Sequence, residues 1–500
     1  MIESLLIANR GEIALRIIKA CNELNIKTIS IYSEADLHSD YLKHADEIYY
    51  VGKSQPSESY LNIDKIIDIA NKTSVEAIHP GYGFLSENSA FAEKCVKNNI
   101  IFVGPDSTTL ELCGNKLKTR SLMEKFGIPV IPSYDKPITS ENDLLNIAEK
   151  IGYPVLLKSV YGGGGKGIRL VKNKKEISEV FHSAEKESRL SFDKVGFYVE
   201  KFLENVRHIE FQIMSDKFNN FIHLGERECS IQRRFQKLIE FTPSIIMNKI
   251  LRDKIGNIAV KAAKTLNYVN LGTVEFLVDM NKNFYFIEVN PRLQVEHPIT
   301  EMVTGIDLIK QQLNIASGYE INLQQSDISL NGAAVECRIN AEDPFNEFIP
   351  QAGKIVKYDL PINPWVRIDS YLSENFEIPL FYDSLIAKVI TWGHNFEDAV
   401  IRMRNALNQF LIYGIQTTIP FHKYVLSDEN FINGNINTNF IENHKIIDKM
   451  KMNFKDNIPN LEKIAAILAG IYYENKPSDK LKSNKISNWR KYANNYGAES

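Results

Sequence analysis

The stretch from Thr273 to Pro298 reads Thr-Val-Glu-Phe-Leu-Val-Asp-Met-Asn-Lys-Asn-Phe-Tyr-Phe-Ile-Glu-Val-Asn-Pro-Arg-Leu-Gln-Val-Glu-His-Pro. Two runs rich in β-branched and aromatic residues flank a polar centre, the pattern of an antiparallel hairpin. A two-residue turn centred on Asn281-Lys282 sets Glu275 opposite Glu288, with Cβ atoms roughly 5 Å apart. A longer turn shifts that register. Like charges so placed repel, and Mg²⁺ held by Glu275, Glu288 and Asn290 together with substrate phosphates is the natural remedy. Two exposed glutamates on an edge strand are the plain alternative. Beyond the hairpin, Glu288, Asn290, Arg292, Gln294 and Glu296 alternate with Val289, Pro291, Leu293 and Val295. An extended chain puts those five polar groups on one face. The set suits an anion, a metal and a general base held together, although a half-buried surface strand alternates in the same way.

Upstream, Pro154–Lys158 and Ile168–Lys172 read as strands bracketing Gly162-Gly-Gly-Gly-Lys166-Gly167. Backbone N–H groups of such a run can close on phosphate oxygens. Gly167 stands where a Walker A loop needs Ser or Thr, so the run reads as a mobile phosphate cover on a hairpin. Between the two lies Glu226-Arg-Glu-Cys-Ser-Ile-Gln-Arg-Arg-Phe-Gln-Lys237, whose basic density points either to a local anion site or to a solvated charged face. At the N-terminus, Ser4–Ala8 and residues 28–32 read as strands. The helix between them carries Ile13, Ile17, Cys21 and Leu24 on one face, an opening suited to a parallel sheet. Gly11 alone reads as a tight turn, since a dinucleotide fingerprint needs three spaced glycines. A helix at 115–126 stops at Gly127 before Pro129.

With 500 residues, 44% hydrophobic and 24% charged, the chain has the makeup of a soluble protein of three or four domains. A net charge of -3 leaves no basic field for nucleic acid or an anionic membrane. The apolar run Ile464–Tyr473 is about half of the roughly 20 residues a membrane span needs. Arg10 and Glu12 come too early for a signal-peptide core. Cys21, Cys95, Cys113, Cys229 and Cys337 are dispersed, as in reduced cytoplasmic proteins. A cytoplasmic location is expected.

Together these residues resemble the biotin carboxylases of the ATP-grasp superfamily. The N-terminal signatures are Ala8-Asn-Arg-Gly-Glu-Ile-Ala-Leu-Arg16 and His79-Pro-Gly-Tyr-Gly-Phe-Leu-Ser-Glu-Asn88. Arg292-Leu-Gln-Val-Glu-His-Pro298 and Ala334-Val-Glu-Cys-Arg-Ile-Asn-Ala-Glu-Asp-Pro344 are the central and C-terminal ones, and the likeness runs to about residue 445. It implies an α/β and α+β fold in parts. These are a Rossmann-like domain at 1–114, an ATP-grasp domain at 115–330 with a mobile lid at about 134–203, a biotin carboxylase C-terminal domain at 331–445 and a helical tail at 446–500. It assigns ATP to Lys116, Lys158, Gly164, Gly165 and His208, and to Glu275 and Glu288 through the metal, with the adenine at Glu200, Lys201, Phe202 and Leu203. Mg²⁺, or Mn²⁺ in its place, falls to Glu275, Glu288 and Asn290. Bicarbonate falls to Lys237, Arg292, Gln294 and Val295 with Glu296 as its base, and biotin to Tyr82 and Arg338. Arg292, Glu296, Lys237 and Arg338 are the implied catalytic set.

Three departures stand near Lys237: Phe235 for a histidine beside the nucleotide, Glu228 for an aspartate, and Phe241-Thr242 for Glu-Ala. Phe241 and Thr242 are expected to repack around the Phe235 ring. The chain holds no carboxyltransferase barrel. Met450-Lys451-Met452 copies a carrier tripeptide without the glycine-punctuated strands of a carrier domain. Biotin is therefore expected on a separate carrier protein or biotinylated carboxyltransferase subunit, with the chain itself a homodimer. Tyr161 and Trp489-Arg490 resemble the short subunit of two-subunit pyruvate carboxylases, with an acyl-CoA carboxylase as the alternative acceptor system. A nucleotide-binding regulator without turnover is the rival class, and the intact Glu275, Glu288, Arg292, Glu296 and Arg338 speak against it.

Overall fold

The computed structural model describes residues 1–159, 168–192 and 196–455. The first sheet is parallel: β1 (Ser4–Ile7), β2 (Lys27–Ser33), β3 (Glu47–Gly52), β4 (Ala77–His79) and β5 (Ile101–Phe102), in the order β3-β2-β1-β4-β5. Leu5, Leu6 and Ile7 are all buried, since helices cover both faces of such a sheet and leave no polar alternation. Helix Gly11–Glu23 makes the first crossover and buries Ile13, Ile17 and Cys21. Gly11 has a φ of +67°, a left-handed turn that glycine enters without a Cβ penalty.

A four-stranded sheet follows: β6 (Ser133–Ile138), β7 (Val155–Ser159), β8 (Ile168–Val171) and β9 (Phe197–Lys201), in the order β6-β9-β7-β8. β7 and β8 flank the glycine run and pair antiparallel, Lys158 opposite Ile168.

The third sheet has eight strands. These are β10 (Arg207–Ser215), β11 (Phe221–Arg233), β12 (Gln236–Thr242), β13 (Asn270–Val278), β14 (Phe284–Asn290), β15 (Ala333–Asn340), β16 (Val366–Ser370) and β17 (Leu385–Gly393). Their order is β14-β13-β10-β11-β12-β15-β17-β16. It runs without a break across position 330, because β12 pairs with β15.

The hairpin of β13 and β14 sets Glu275 opposite Glu288, but not through the turn its sequence suggests. The loop is longer, from Asp279 to Asn283: Asp279 N–H bonds Asn283 O at 2.8 Å. The Asp279 side chain also accepts from the N–H groups of Asn281 and Asn283. That loop alone would slip the register by one. A bulge between the Glu275 and Phe276 pairings, where Ile287 is the extra residue, restores it.

The extended face expected from Glu288 to Glu296 ends at Asn290. Pro291 has no N–H to continue the ladder. Residues 291–296 turn instead into helix His297–Thr304, with Pro298 in its first turn. Residues 447–455 are helical, so Met450-Lys451-Met452 lies on a helix rather than in a strand-connecting turn. Tyr161 and Trp489-Arg490 lie outside the described residues. All five cysteines are free and buried. No described helix is long and apolar enough to cross a membrane.

Candidate active site

A cavity of about 840 Å³ is lined by the segments that follow β1 and β4 of the first sheet and by strands of the other two. Tyr82, Lys116, Lys158, Lys201, Phe202, Leu203, His208, Lys237, Glu275, Glu288, Asn290, Arg292, Gln294, Val295 and Arg338 all reach it. Glu200 and Glu296 stand one layer behind, each bonded to a lining cation. Gly164 and Gly165 lie outside the described residues.

Lys237 is the hub. Its Nζ donates to Glu210 Oε2 at 2.5 Å and to Glu275 Oε1 and Glu296 Oε1 at 2.8 Å each. Burial opposes the ionised form of Glu296, and the Lys237, Arg338 and Arg227 charges overcome it, holding its carboxyl well below the usual range. Glu275 is held low in the same way by Lys237 and His208 against its burial. Glu210 moves the other way, pushed up by burial and by the facing Glu296 charge. One ammonium cannot satisfy three carboxylates equally.

Arg338 bridges two of the buried acids. Its Nε donates to Glu240 Oε1 at 2.6 Å and its Nη2 to Glu296 Oε2 at 2.8 Å. Arg292 fans across the cavity mouth, donating to Glu87, Gln294 and Asn290 at 2.6, 2.9 and 3.3 Å. Lys116 meets Glu288 at 2.7 Å, a carboxylate that raises its affinity for the proton. Lys158 is bonded to Glu200. Lys201 donates to the carbonyls of Gly152 and Tyr153, so its charge serves the fold of the four-stranded sheet.

The facing Glu275 and Glu288 carboxylates and the Asn290 amide oxygen form a hard oxygen set that fits Mg²⁺. Each carboxylate already accepts from a lysine, as paired acids need a cation nearby. A tighter group, His208, Glu210 and Glu275, has its ligand atoms within 4.8 Å of one another, but Lys237 is bonded to both of its carboxylates.

The basic run at 226–237 does not form one anion patch. Arg227 is fully buried and bonded to Glu210, Gln212, Thr273 and Thr300. Arg233 and Arg234 turn outward to Glu347. Only Gln232, Phe235, Gln236 and Lys237 of that run line the cavity.

The sequence reading missed Glu210 and Glu240, which hold Lys237 and Arg338. Glu210 carried a signal: His208, Glu210 and Gln212 alternate with Ile209 and Phe211 along β10. Glu240 carried none, since its partner is a strand almost a hundred residues away.

Repacking around Phe235 is also overturned. Arg234 and Phe235 have φ of +50° and +65° and form the two-residue turn between β11 and β12. Phe235 is 47% exposed, whereas Phe241 is buried against Phe396 at 4.8 Å between ring centroids. Glu228 accepts from Arg207, Ser230 and Ser244 and does not reach the cavity. Histidine tolerates positive φ better than a bulky phenylalanine. Phe235→His is therefore expected to leave the melting temperature unchanged or slightly higher. It should lower the Michaelis constant for ATP by about tenfold, the worth of one charge-assisted hydrogen bond. A lowered melting temperature with unchanged ATP dependence would restore the apolar-pocket account.

Comparison with known proteins settles the family. Residues 1–110 match the family described as biotin carboxylase, N-terminal domain, and residues 336–443 its C-terminal domain. Residues 115–324 match the ATP-binding domain of the carbamoyl-phosphate synthase L chain. A pyruvate carboxylase subunit of Methanothermobacter thermautotrophicus is 48% identical over 445 residues, 89% of this chain and 90% of that one. Biotin carboxylase 1 of Bacillus subtilis is 47% identical, over 89% of this chain and all of its own length.

The chain belongs to the biotin carboxylases.

As a biotin carboxylase it is an ATP-dependent ligase and a subunit of a biotin-dependent carboxylase. The solved biotin carboxylase domain dimer of Hydrogenobacter thermophilus 2-oxoglutarate carboxylase, in complex with MgADP, ADP and bicarbonate, superposes with a TM-score of 0.87. It is 45% identical over 89% of this chain and 98% of that one.

Proposed function

We propose that this biotin carboxylase binds bicarbonate between Lys237, Arg292, Gln294 and Val295, and biotin between Tyr82 and Arg338. ATP lies along Lys116, Lys158, His208 and the stretch from Glu200 to Leu203. The observation that carries the reading is the double grip on Glu296. The same carboxylate is held at 2.8 Å by Lys237 on the nucleotide side and by Arg338 on the other.

Glu296, kept ionised by those cations, takes the bicarbonate proton. The carbonate oxygen then bonds to the γ-phosphorus as the bond to the ADP oxygen breaks. Lys158 and Lys116 offset charge on the phosphoryl oxygens. Mg²⁺, held by Glu275, Glu288 and Asn290, would add further neutralisation of that charge. The resulting carboxyphosphate splits into CO₂ and phosphate. Phosphate removes the ureido N–H proton of biotin, Arg338 stabilises the charge moving onto the ureido oxygen, and the nitrogen attacks CO₂. Protonation of Glu296 in the first step weakens its hold on Arg338, which frees Nη2 for biotin as biotin needs it.

Purified protein with MgATP and free biotin should release ADP only when bicarbonate is present. Equal release without bicarbonate would sink the reading. For the final acceptor we propose pyruvate, supported by the similarity to the pyruvate carboxylase chain of Methanothermobacter. The biotin arrives on a separate chain, consistent with the helical setting of Lys451. The partner that co-purifies should bind avidin while this chain does not, and together they should carboxylate pyruvate. Carboxylation of acetyl-CoA instead, or biotin on Lys451, would overturn these assignments. A homodimer, as in the Hydrogenobacter domain, is the expected assembly.

A further inference from the structure

Glu240 on β12 and Glu336 on β15 are register partners in adjacent antiparallel strands, and both are fully buried. Their Cβ atoms are therefore about 5 Å apart. Glu240 Oε1 accepts from Arg338, but Glu240 Oε2 and both oxygens of Glu336 have no hydrogen-bond partner among the described residues.

The groups facing Glu336 do not supply a partner. Arg338, on its own strand, donates to Glu240 and Glu296. Lys388 on β17 is diagonal to it, but its Nζ bonds the Val295 carbonyl at 3.0 Å and lies 3.2 Å from Glu12 and 3.9 Å from Asp369. Glu296 faces it as a further negative charge, with Lys237 beyond. Helix His297–Thr304, packed on β15, contributes Ile299 and Val303 beside Ala334 and Ile390, while its Glu301 pairs with Arg16 and Arg367 and its His297 Nδ1 bonds the Gln294 carbonyl. Asp398 and Arg402 of helix Phe396–Gln409, which also packs there, pair with each other at 2.9 Å.

A carboxylate with no donor, sealed beside two other carboxylates, cannot stay ionised at modest cost. We propose that Glu336 carries a proton in the resting enzyme and forms an acid–carboxylate pair with Glu240, which keeps Arg338 anchored through the catalytic cycle. Burial, only partly offset by Lys388, pushes Glu336 well above the usual carboxylate range, with the Glu240 charge adding to the rise. Burial also pushes Glu240 up to about 7, less far than Glu336 because Arg338 offsets it, so the single charge of the pair lies on Glu240. When Glu296 takes the bicarbonate proton and releases Nη2, Nε stays fixed on Glu240, so the guanidinium turns toward biotin without leaving the site. Glu240 is thus a positioning residue. This deepens the reading of Arg338 as the biotin-facing group and rests on it.

The protonation test is independent of that reading. An acid raised in the folded state costs stability as pH climbs past its ordinary value, because only the unfolded chain gains by ionising. Glu336→Gln, which mimics the neutral acid, should therefore raise the melting temperature relative to wild type by an amount that grows from about pH 5 to about pH 8. The infrared carbonyl band of a protonated carboxyl should be present in wild type at neutral pH and missing in the variant. A melting-temperature difference constant with pH, or no lost band, would overturn the proposal. So would failure of Glu336→Gln to fold, since its amide N–H2 can still donate to Glu240 as the neutral acid does.

The positioning role is read separately. Glu240→Gln should lower kcat for biotin carboxylation about tenfold more than it lowers bicarbonate-dependent ATP cleavage. Equal losses would remove the role. If wild type shows no bicarbonate-dependent ADP release, the functional reading fails while the infrared result stands.

Discussion

Replacing Glu296 by glutamine should reduce bicarbonate-dependent ATP cleavage by about 10²- to 10⁴-fold, the usual worth of a general base. Glutamine keeps the shape but offers one acceptor oxygen to two donors, so its amide N–H2 must face either Lys237 or Arg338 and the melting temperature should fall as well. The contrast is with Arg338→Gln. That variant should lower biotin carboxylation by about 10²–10³-fold, as loss of one electrostatic stabiliser does, and ATP cleavage by less. It should not spare ATP cleavage altogether, because Arg338 also helps keep Glu296 ionised. Without it the base loses charge at a higher pH, so the acid limb of ATP cleavage should move upward. Parallel loss of both activities with an unmoved acid limb would show that the two residues do not divide the work.

Lys237→Met should be the most destabilising single change in the site. It leaves Glu210, Glu275 and Glu296 without their common cation. Breaking one buried pair by removing one partner costs about 3–5 kcal/mol. Glu275 and Glu296 are depressed in the folded state, so the stability they supply is present above the usual carboxylate value and lost as pH falls. The deficit of Lys237→Met should therefore be large at neutral pH and shrink on acidification, as the orphaned acids take up protons. Denaturant midpoints measured across pH read this directly. A deficit independent of pH would mean that lost packing, not charge, dominates.

The alternation of β-branched and aromatic residues announced the hairpin at 273–290, and the Glu275–Glu288 pair came with it. The route was not legible. The loop is longer than two residues and a bulge at Ile287 compensates, and neither leaves a periodic mark. Beyond Asn290 the alternation misled, because Pro291 ends the ladder. The polar side chains converge through a loop rather than along a strand. The contacts that make the site work join distant segments: Lys237 to Glu210, Arg338 to Glu240, Arg292 to Glu87. Pattern within a window cannot register them. Phe235 and Phe241 show the same limit at short range. Six positions apart, one sits at a left-handed turn and the other in an aromatic core, and proximity in sequence said nothing about contact.

The ladder between β12 and β15 has a consequence for how such a protein can change over time. Arg338 belongs to the C-terminal segment, yet its anchor Glu240 belongs to the central one, and the hydrogen bonds of one sheet set their spacing. An exchange of the C-terminal third between relatives would set an incoming strand and its arginine against a β12, and a Glu240, that had not changed alongside them. The central segment and the C-terminal one are thus inherited as a single piece.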